Sequence, residues 1–237
     1  VKILLLGYGK MGKEIEKIAL SRGHEIAGKI DLNNQDELDR LSKDAVDVAI
    51  EFSTPEAAAQ NIRKCLTKGW PVVSGTTGWL EHKAEIEELC HQNGGAFFYA
   101  SNYSIGVNLF FKLNTYLAKL LKGQGYEVSM TETHHIHKKD APSGTAITLA
   151  ESIMQGNEEV KGWTLAPEKK EGFVPIQAIR TGEVPGTHTI TYDSVIDSIE
   201  VTHTAHGRQG FAQGAVVAAE WLIGKKGTFG MDDLLAG

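Results

Sequence analysis

Over residues 1–104, short continuous apolar runs alternate with stretches of helical period, and that alternation predicts a parallel sheet covered by helices. Ile3–Leu6 is unbroken apolar sequence, the pattern of a strand buried on both faces. The run stops at Gly7. Met11, Ile15, Ile18 and Ala19 then follow at i, i+4, i+7 and i+8, one face of a helix. Glu25–Ile30 reads as a second strand, Gln35–Lys43 as a short polar helix and Val46–Phe52 as a third strand. Ser53 or Thr54 can cap the next helix, with Pro55 in its first turn and Gly69 at its end. Pro71–Ser74 is another strand, Glu81–Gln92 a helix and Ala96–Ser101 a strand.

Ile105–Lys122 predicts a longer amphipathic helix with Val107, Phe110, Leu113, Leu117 and Leu121 on its apolar face. Beyond Gly123 the period changes to two: Tyr126, Val128 and Met130 alternate with Glu127, Ser129 and Thr131, a half-exposed strand. Pro175–Thr181, Thr187–Tyr192 and Asp197–Thr204 are strands of the same mixed type, and their late clustering favours an open mixed or antiparallel sheet. Asn157–Gly172 combines charges, glycine, Trp163 and Pro167 and reads as a loop. Phe211–Gly224 reads as the final helix, so apolar that it is expected to return to the first domain for burial. The expected organisation is residues 1–104 together with 207–237 as one domain and 105–206 as a smaller α+β domain.

Composition narrows the function classes. A chain of 237 residues, 41% hydrophobic and 23% charged, suits one large or two modest domains and excludes collagen-like, disordered and disulfide-scaffold classes. A net charge of −6 lacks the positive footprint of a nucleic-acid binder. No apolar run reaches the ~18 residues of a membrane span and no signal-peptide pattern opens the chain, so no membrane partner is expected. Cys65 and Cys90 lie in predicted helices and are expected to be unpaired thiols, which suits a reducing cytoplasm.

Gly7-Tyr8-Gly9-Lys10-Met11-Gly12 is a GxGxxG segment that directly follows a buried strand and opens a helix. Its first glycine permits the tight turn, its second lets backbone approach a pyrophosphate, and its third allows close helix–strand packing. The helix N-terminus offers its N–H groups to the phosphates. Asp31 ends the second strand, where an acid can take the ribose hydroxyls. Together these features predict dinucleotide binding by a doubly wound, Rossmann-like α/β domain; a tight turn without ligand is the bland alternative. Gly75-Thr76-Thr77-Gly78 and Ala100-Ser101-Asn102-Tyr103 sit at the carboxyl ends of predicted strands and could line a nicotinamide crevice, although ordinary turn chemistry explains them equally well.

Of the nine histidines, six (His134, His135, His137, His188, His203 and His206) fall within 134–206, and they invite three readings. A metal site from His134, His135 and His137 with His203 or His206 is disfavoured, because strand neighbours point to opposite faces and no CxxC or HExxH accompanies them. A solvated edge is the second. The third is an acid–base and anion site: imidazole titrates near neutral pH, Lys138 adds a fixed positive charge, and Ser143 can cap a helix Gly144–Gln155 whose free N–H groups would receive a carboxylate.

His134-His135-x-x-Lys138-x-Asp140-Ala141-Pro142-Ser143-Gly144-Thr145-Ala146 resembles the signature of the 4-hydroxy-tetrahydrodipicolinate reductase family, formerly dihydrodipicolinate reductase. The glycine loop, Gly-Thr-Thr-Gly at 75 and Ser-Asn-Tyr-Ser-Ile-Gly-Val-Asn at 101–108 extend the resemblance along the chain. It implies a cytoplasmic homotetramer that reduces a small cyclic dicarboxylate with NADH or NADPH in diaminopimelate and lysine synthesis. By resemblance His134 is the general acid and Lys138 the second catalytic group, with His135, Gly144 and Thr145 at substrate-binding positions. Gly7, Tyr8, Gly9, Lys10, Met11, Gly12, Asp31, Gly75, Thr76, Thr77, Ala100, Ser101, Asn102 and Tyr103 fall at cofactor-binding positions, and Arg208 and Phe211 match a segment near the nicotinamide. No metal is expected. The glycine loop is one residue shorter than the family's common form, and Leu32 stands where a basic residue is frequent. The competing readings are an amino-acid dehydrogenase of related fold, such as an aspartate dehydrogenase, and a nucleotide-sensing module without turnover.

Overall fold

The computed structural model describes residues 1–236. The chain divides into two compact units, Val1–Ile105 with Arg208–Gly237, and Gly106–Gly207. The first half of the chain runs β1 (Lys2–Leu6), α1 (Lys10–Ser21), β2 (Glu25–Ile30), α2 (Gln35–Arg40), β3 (Val48–Glu51), α3 (Pro55–Lys68), β4 (Val72–Ser74), α4 (Lys83–Gln92) and β5 (Ala96–Tyr99). It continues with α5 (Ile105–Leu121), β6 (Glu127–His134), α6 (Gly144–Gly156), β7 (Gly162–Leu165), β8 (Phe173–Arg180), β9 (Thr187–Asp193) and β10 (Ser198–Thr204). The chain closes with α7 (Gln209–Leu222), β11 (Gly227–Phe229) and α8 (Met231–Ala236).

In the first unit the strands form a six-stranded parallel sheet in the order β11-β5-β4-β3-β1-β2. The continuous apolar run of β1 has the expected cause. Ile3 and Leu5 pack into one core with Ile15 of α1 and Ala215 and Ala219 of α7, while Leu4 and Leu6 pack into the other with Ile62 of α3 and Ile86 of α4. Helix α7 is thus the partner of α1 on one sheet face. Its approach is close: a Cβ added at Gly214 would lie 1.7 Å from the Tyr103 carbonyl oxygen. The strand order reverses between β1 and β3, and the crevice at that reversal is where open α/β sheets take ligands.

The second unit is a five-stranded mixed sheet in the order β10-β9-β6-β8-β7, with one face against α5 and α6. Met130, Ile176, Ile190 and Tyr192 from the sheet meet Phe110, Ala118, Leu149 and Ile153 from the helices.

Four expectations are corrected. The predicted loop at 157–172 contains β7, a four-residue edge strand parallel to β8; its flanking charges and Pro167 mask a segment too short to show a period. Phe211–Gly224 does not hold the last helix: β11 and α8 follow, β11 being a three-residue strand that adds to β5. Leu113 is exposed, because the buried line of α5 runs Val107, Phe110, Asn114, Ala118. Asn114 holds it inward, donating to the Leu149 carbonyl at 2.8 Å and accepting from the Tyr192 hydroxyl at 3.3 Å. The polar helix Gln35–Lys43 stops at Arg40, and a 3-10 turn follows at Lys43–Ala45.

Candidate active site

In the first unit the glycine loop occupies the carboxyl end of β1. Gly7 has φ +91°, and a Cβ there would lie 2.0 Å from the Phe52 carbonyl oxygen; one on Gly12 would lie 2.3 Å from the Gly7 oxygen. Gly9, by contrast, faces open space. It caps α1 without any side-chain bond, so the first-turn N–H groups stay open to an anion. Gly7, Gly9, Asp31, Phe52, Ser53 and Thr54 surround a cavity of about 160 Å³. Asp31 is exposed at its rim, where its Oδ1 accepts the Leu32 N–H at 2.9 Å. Lys29 points to Glu16, pairing with it at 2.5 Å and lying over the Tyr8 ring, whose hydroxyl is also bonded to Glu16. Lys10 and Lys13 are exposed.

The other loops of this edge differ in what they expose. Thr77 and Ser101 are exposed, whereas Thr76 is buried and bonded to Glu51 at 2.8 Å. Tyr103 is buried between Phe52 and Phe98 with its hydroxyl donating to the Ser74 carbonyl at 2.6 Å, which leaves only its backbone for a ligand. Arg208, exposed, caps α7, and Phe211 is half-buried in its first turn.

In the second unit the histidines separate. His134 ends β6 on its buried face, after Val128, Met130 and Glu132. Its Nδ1 is bonded to Glu132 Oε2, a contact made within one strand by residues two apart. Glu132 is fully buried. Its Oε1 accepts from Arg180 Nη2 at 2.8 Å and from the Ser143 N–H at 3.2 Å. Arg180 reaches it because the β6–β8 register sets His134 beside Arg180, and the same nitrogen donates to the Asp140 carbonyl at 2.6 Å. Burial works against the Glu132 charge, but the hydrogen bonds from His134 and Arg180 outweigh it and bring the pKa down to about 2. A Cβ on Gly186 would come 3.0 Å from His134 Nε2, so a side chain there would crowd the ring.

His188, on β9, stands edge-on to His134 with ring centroids 5.1 Å apart. Its Nε2 meets Ser143 Oγ at 3.0 Å, and that oxygen caps α6 by accepting the Ala146 N–H at 3.2 Å. The first-turn N–H groups of Gly144 and Thr145 have no intrahelical acceptor. Gly144 faces open space. Lys138 is partly buried and pairs with Asp140 at 2.9 Å. Half-buried His135 has an Nδ1 with no hydrogen-bond partner. His137 is exposed and paired with Glu183 at 3.3 Å, His203 stacks on Phe110, and His206 is exposed. The histidines considered for a metal are therefore dispersed. Glu132, His134 and His188 do bring ligand atoms within 4.8 Å of one another. However, both Glu132 oxygens already accept hydrogen bonds and Arg180 sets a cation against them, which suits proton chemistry better than a second cation.

Burial, and then the neighbouring His134, hold His188 neutral with a pKa lowered to about 4 from the ordinary 6.5. As pH falls below 6.5 the unfolded chain takes up a proton that the folded site refuses until about 4, so stability is present above that window and lost through it. Urea unfolding of the second unit should lose about 3 kcal/mol between neutral pH and pH ~4 from this group, and His188→Gln should flatten the slope. An unchanged slope in the variant would remove His188 as its source.

Glu132 and Arg180 are not among the residues the sequence pattern points to, and His188 enters there only as one of the clustered histidines. The signal for Glu132 is the period-two line Val128, Met130, Glu132, His134, which carries a carboxylate to a buried face. A cavity of about 450 Å³ in this unit lies toward the start of β6 among Val128, Ile153, Phe173 and Tyr192, some 20 Å along the strand from His134.

The family model described as dihydrodipicolinate reductase, N-terminus, matches residues 1–103, and the model of its C-terminus matches 106–235. A 4-hydroxy-tetrahydrodipicolinate reductase of Christiangramia forsetii is 52% identical over 239 residues, covering 100% of this chain and 98% of the relative. One from Methanocaldococcus jannaschii is 35% identical, covering 98% of this chain and 80% of the relative. The solved structure of a dipicolinate-bound dihydrodipicolinate reductase from Paenisporosarcina sp. TG-14 superposes with a TM-score of 0.80 at 22% identity, covering 99% of both chains. That likeness supports the fold.

Proposed function

The chain belongs to the dihydrodipicolinate reductase family, and from that premise we propose how its own residues carry the family's reaction. It is an oxidoreductase that reduces 4-hydroxy-tetrahydrodipicolinate to tetrahydrodipicolinate in diaminopimelate and lysine biosynthesis, using a pyridine nucleotide. The observation that carries the residue assignments is the buried Glu132–His134 pair beside the open N-terminus of α6.

The glycine loop fits a dinucleotide: Gly7 and Gly12 are required by close backbone approach, and Gly9 leaves the phosphate side open. Gly7–Gly12 would hold the pyrophosphate, Asp31 the adenosine ribose, and the loops Gly75–Thr77 and Ala100–Tyr103 the nicotinamide end. When bound, the reduced nicotinamide supplies a hydride to the β-carbon of the α,β-unsaturated cyclic imine left once the 4-hydroxyl departs as water. His134 then gives the proton from Nε2 to the adjacent carbon. Glu132, bonded to Nδ1, fixes the ring's orientation so that Nε2 faces away from it. Lys138 and the N–H groups of Gly144 and Thr145 hold the substrate carboxylates. The unpartnered Nδ1 of His135 supports its assignment to the same anion. Dipicolinate in the Paenisporosarcina relative has the same dicarboxylate chemistry. No metal takes part in this reading. It also makes the enzyme a cytoplasmic homotetramer, in keeping with two buried, unpaired cysteines, Cys65 and Cys90. Among the described residues no helix is long and apolar enough to cross a membrane.

Lys138→Ala should lower kcat/KM for the dicarboxylate by about 10–100-fold, the worth of one charge-assisted bond, with NADH affinity unchanged. Steady-state kinetics with each substrate varied in turn checks this, and an unchanged kcat/KM would return Lys138 to the role of a surface partner for Asp140.

Both cofactors should work, with NADH preferred. Asp31 at the cavity rim opposes a 2′-phosphate, and Lys29 brings little free charge because Glu16 neutralises it. A like-charge clash at a solvated rim is worth about 1 kcal/mol, a several-fold difference in kcat/KM. Competitive assays at fixed salt decide it; a tenfold or greater NADPH preference would contradict the role given to Asp31.

A further inference from the structure

Two carboxylates of this chain are fully buried among the described residues: Glu132 belongs to the site above, and Glu51 has no place in it. Glu51 ends β3 in the first unit. Its Oε1 accepts from the Ser53 N–H at 2.9 Å, the Thr76 hydroxyl at 2.8 Å and the Ser53 hydroxyl, and its Oε2 accepts from the Ser74 hydroxyl at 2.7 Å. The backbone strengthens the tie, with the Gly75 N–H donating to the Glu51 carbonyl at 2.9 Å and the Ser53 N–H shared with Thr76 Oγ1 at 2.9 Å. These donors come from the end of β4 (Ser74) and from the loops after β3 (Ser53) and β4 (Gly75, Thr76), at the edge where Gly7, Ser53 and Thr54 enclose the 160 Å³ cavity. Packing there leaves no slack. A Cβ at Gly7 would meet the Phe52 carbonyl at 2.0 Å, and one at Gly75 would meet the Phe52 ring at 2.2 Å. A displacement of Phe52-Ser53 is therefore felt in both glycine turns.

A carboxylate buried among neutral donors carries a desolvation cost that an apolar residue of similar size would avoid. Here that cost falls at the junction of two loops facing the cavity. We propose that Glu51 is a positioning residue for the cofactor: by accepting from both loops it fixes Ser53-Thr54 against the Gly7 turn and presents the dinucleotide cavity preformed. A preformed cavity spares the bound nucleotide the cost of ordering those loops. The proposal rests on the assignment of that cavity to the dinucleotide.

Glu51→Leu keeps burial and approximate size but offers no acceptor. Glu51→Gln keeps one oxygen for Ser53 and Thr76, while the Ser74 hydroxyl can turn to accept from its amide. NADH affinity by fluorescence titration, KM for each substrate and Tm are measured for both. Glu51→Leu should weaken NADH binding about tenfold or more and raise its KM in parallel, with the dicarboxylate KM and kcat at saturating NADH within about threefold of the parent. Glu51→Gln should bind NADH within about threefold of the parent. If Glu51→Leu fails to fold, Ser74→Ala, which removes only the bond that the end of β4 gives to Glu51 Oε2, is read in its place and should weaken NADH binding several-fold. Parental NADH affinity in Glu51→Leu or Ser74→Ala, a lower Tm without a change in affinity, or a Glu51→Gln as weak as Glu51→Leu would each overturn the proposal. Failure of the parent protein to bind NADH or NADPH would instead overturn the cofactor assignment beneath it, so that titration comes first.

Discussion

His134→Gln is expected to lower kcat by about 10²–10⁴-fold, the usual worth of a positioned general acid, while NADH affinity stays at the parental value. The cofactor loop and His134 belong to different compact units, so the substitution leaves the Gly7 turn and its cavity untouched. Gln preserves a polar side chain of similar length beside Glu132 but cannot give up a proton near neutral pH. The loss should therefore appear in kcat, with the dicarboxylate KM changing only a few-fold. Steady-state kinetics at saturating NADH, with cofactor binding titrated separately, makes the comparison. A variant that keeps near-parental kcat would remove His134 as the acid.

Glu132→Gln should be costly twice over. In stability it breaks a buried ion pair, leaving the Arg180 guanidinium without its carboxylate; breaking such pairs costs about 3–5 kcal/mol. In catalysis it removes the carboxylate that holds His134 through Nδ1, and an amide turned the wrong way would present N–H to that nitrogen. A fall in kcat of about 10²-fold or more is expected, by analogy with carboxylates that orient catalytic histidines. Denaturant unfolding and kcat measured on one preparation test both halves. Because Glu132 and His134 act as a unit, the double variant should lose little beyond the worse single variant. Multiplying losses would mean that the two residues contribute separately.

What was legible in the sequence was legible for local reasons. The run Ile3–Leu6 followed by GxGxxG fixes strand, turn and helix within a dozen positions, and the structure gives Gly7 and Gly12 a steric cause while Gly9 faces open space. Ser143 before Gly144 announces a helix N-terminus, and Ser143 does cap α6. What escaped depends on contacts distant along the chain. Arg180 meets Glu132 only because β6 and β8 pair in parallel at a particular register, and His188 meets Ser143 only because β9 runs antiparallel on the other side of β6. Glu132 lay within reach: two residues before His134 in a period-two strand, it had to share the buried face. Strands β7 and β11 were missed because four and three residues at a sheet edge show too little alternation to register against their surroundings.

The most direct measurement follows NADH oxidation by the purified protein, offered 4-hydroxy-tetrahydrodipicolinate in one reaction and oxaloacetate with ammonia in the other. The first substrate is that of the dicarboxylate reductase, and the second tests an aspartate dehydrogenase of related fold. Expected is NADH consumption that depends on the cyclic dicarboxylate, one equivalent for each molecule reduced, and none above background with oxaloacetate and ammonia. Turnover with the second pair and not the first, or tight NADH binding with turnover of neither, would contradict the reductase assignment.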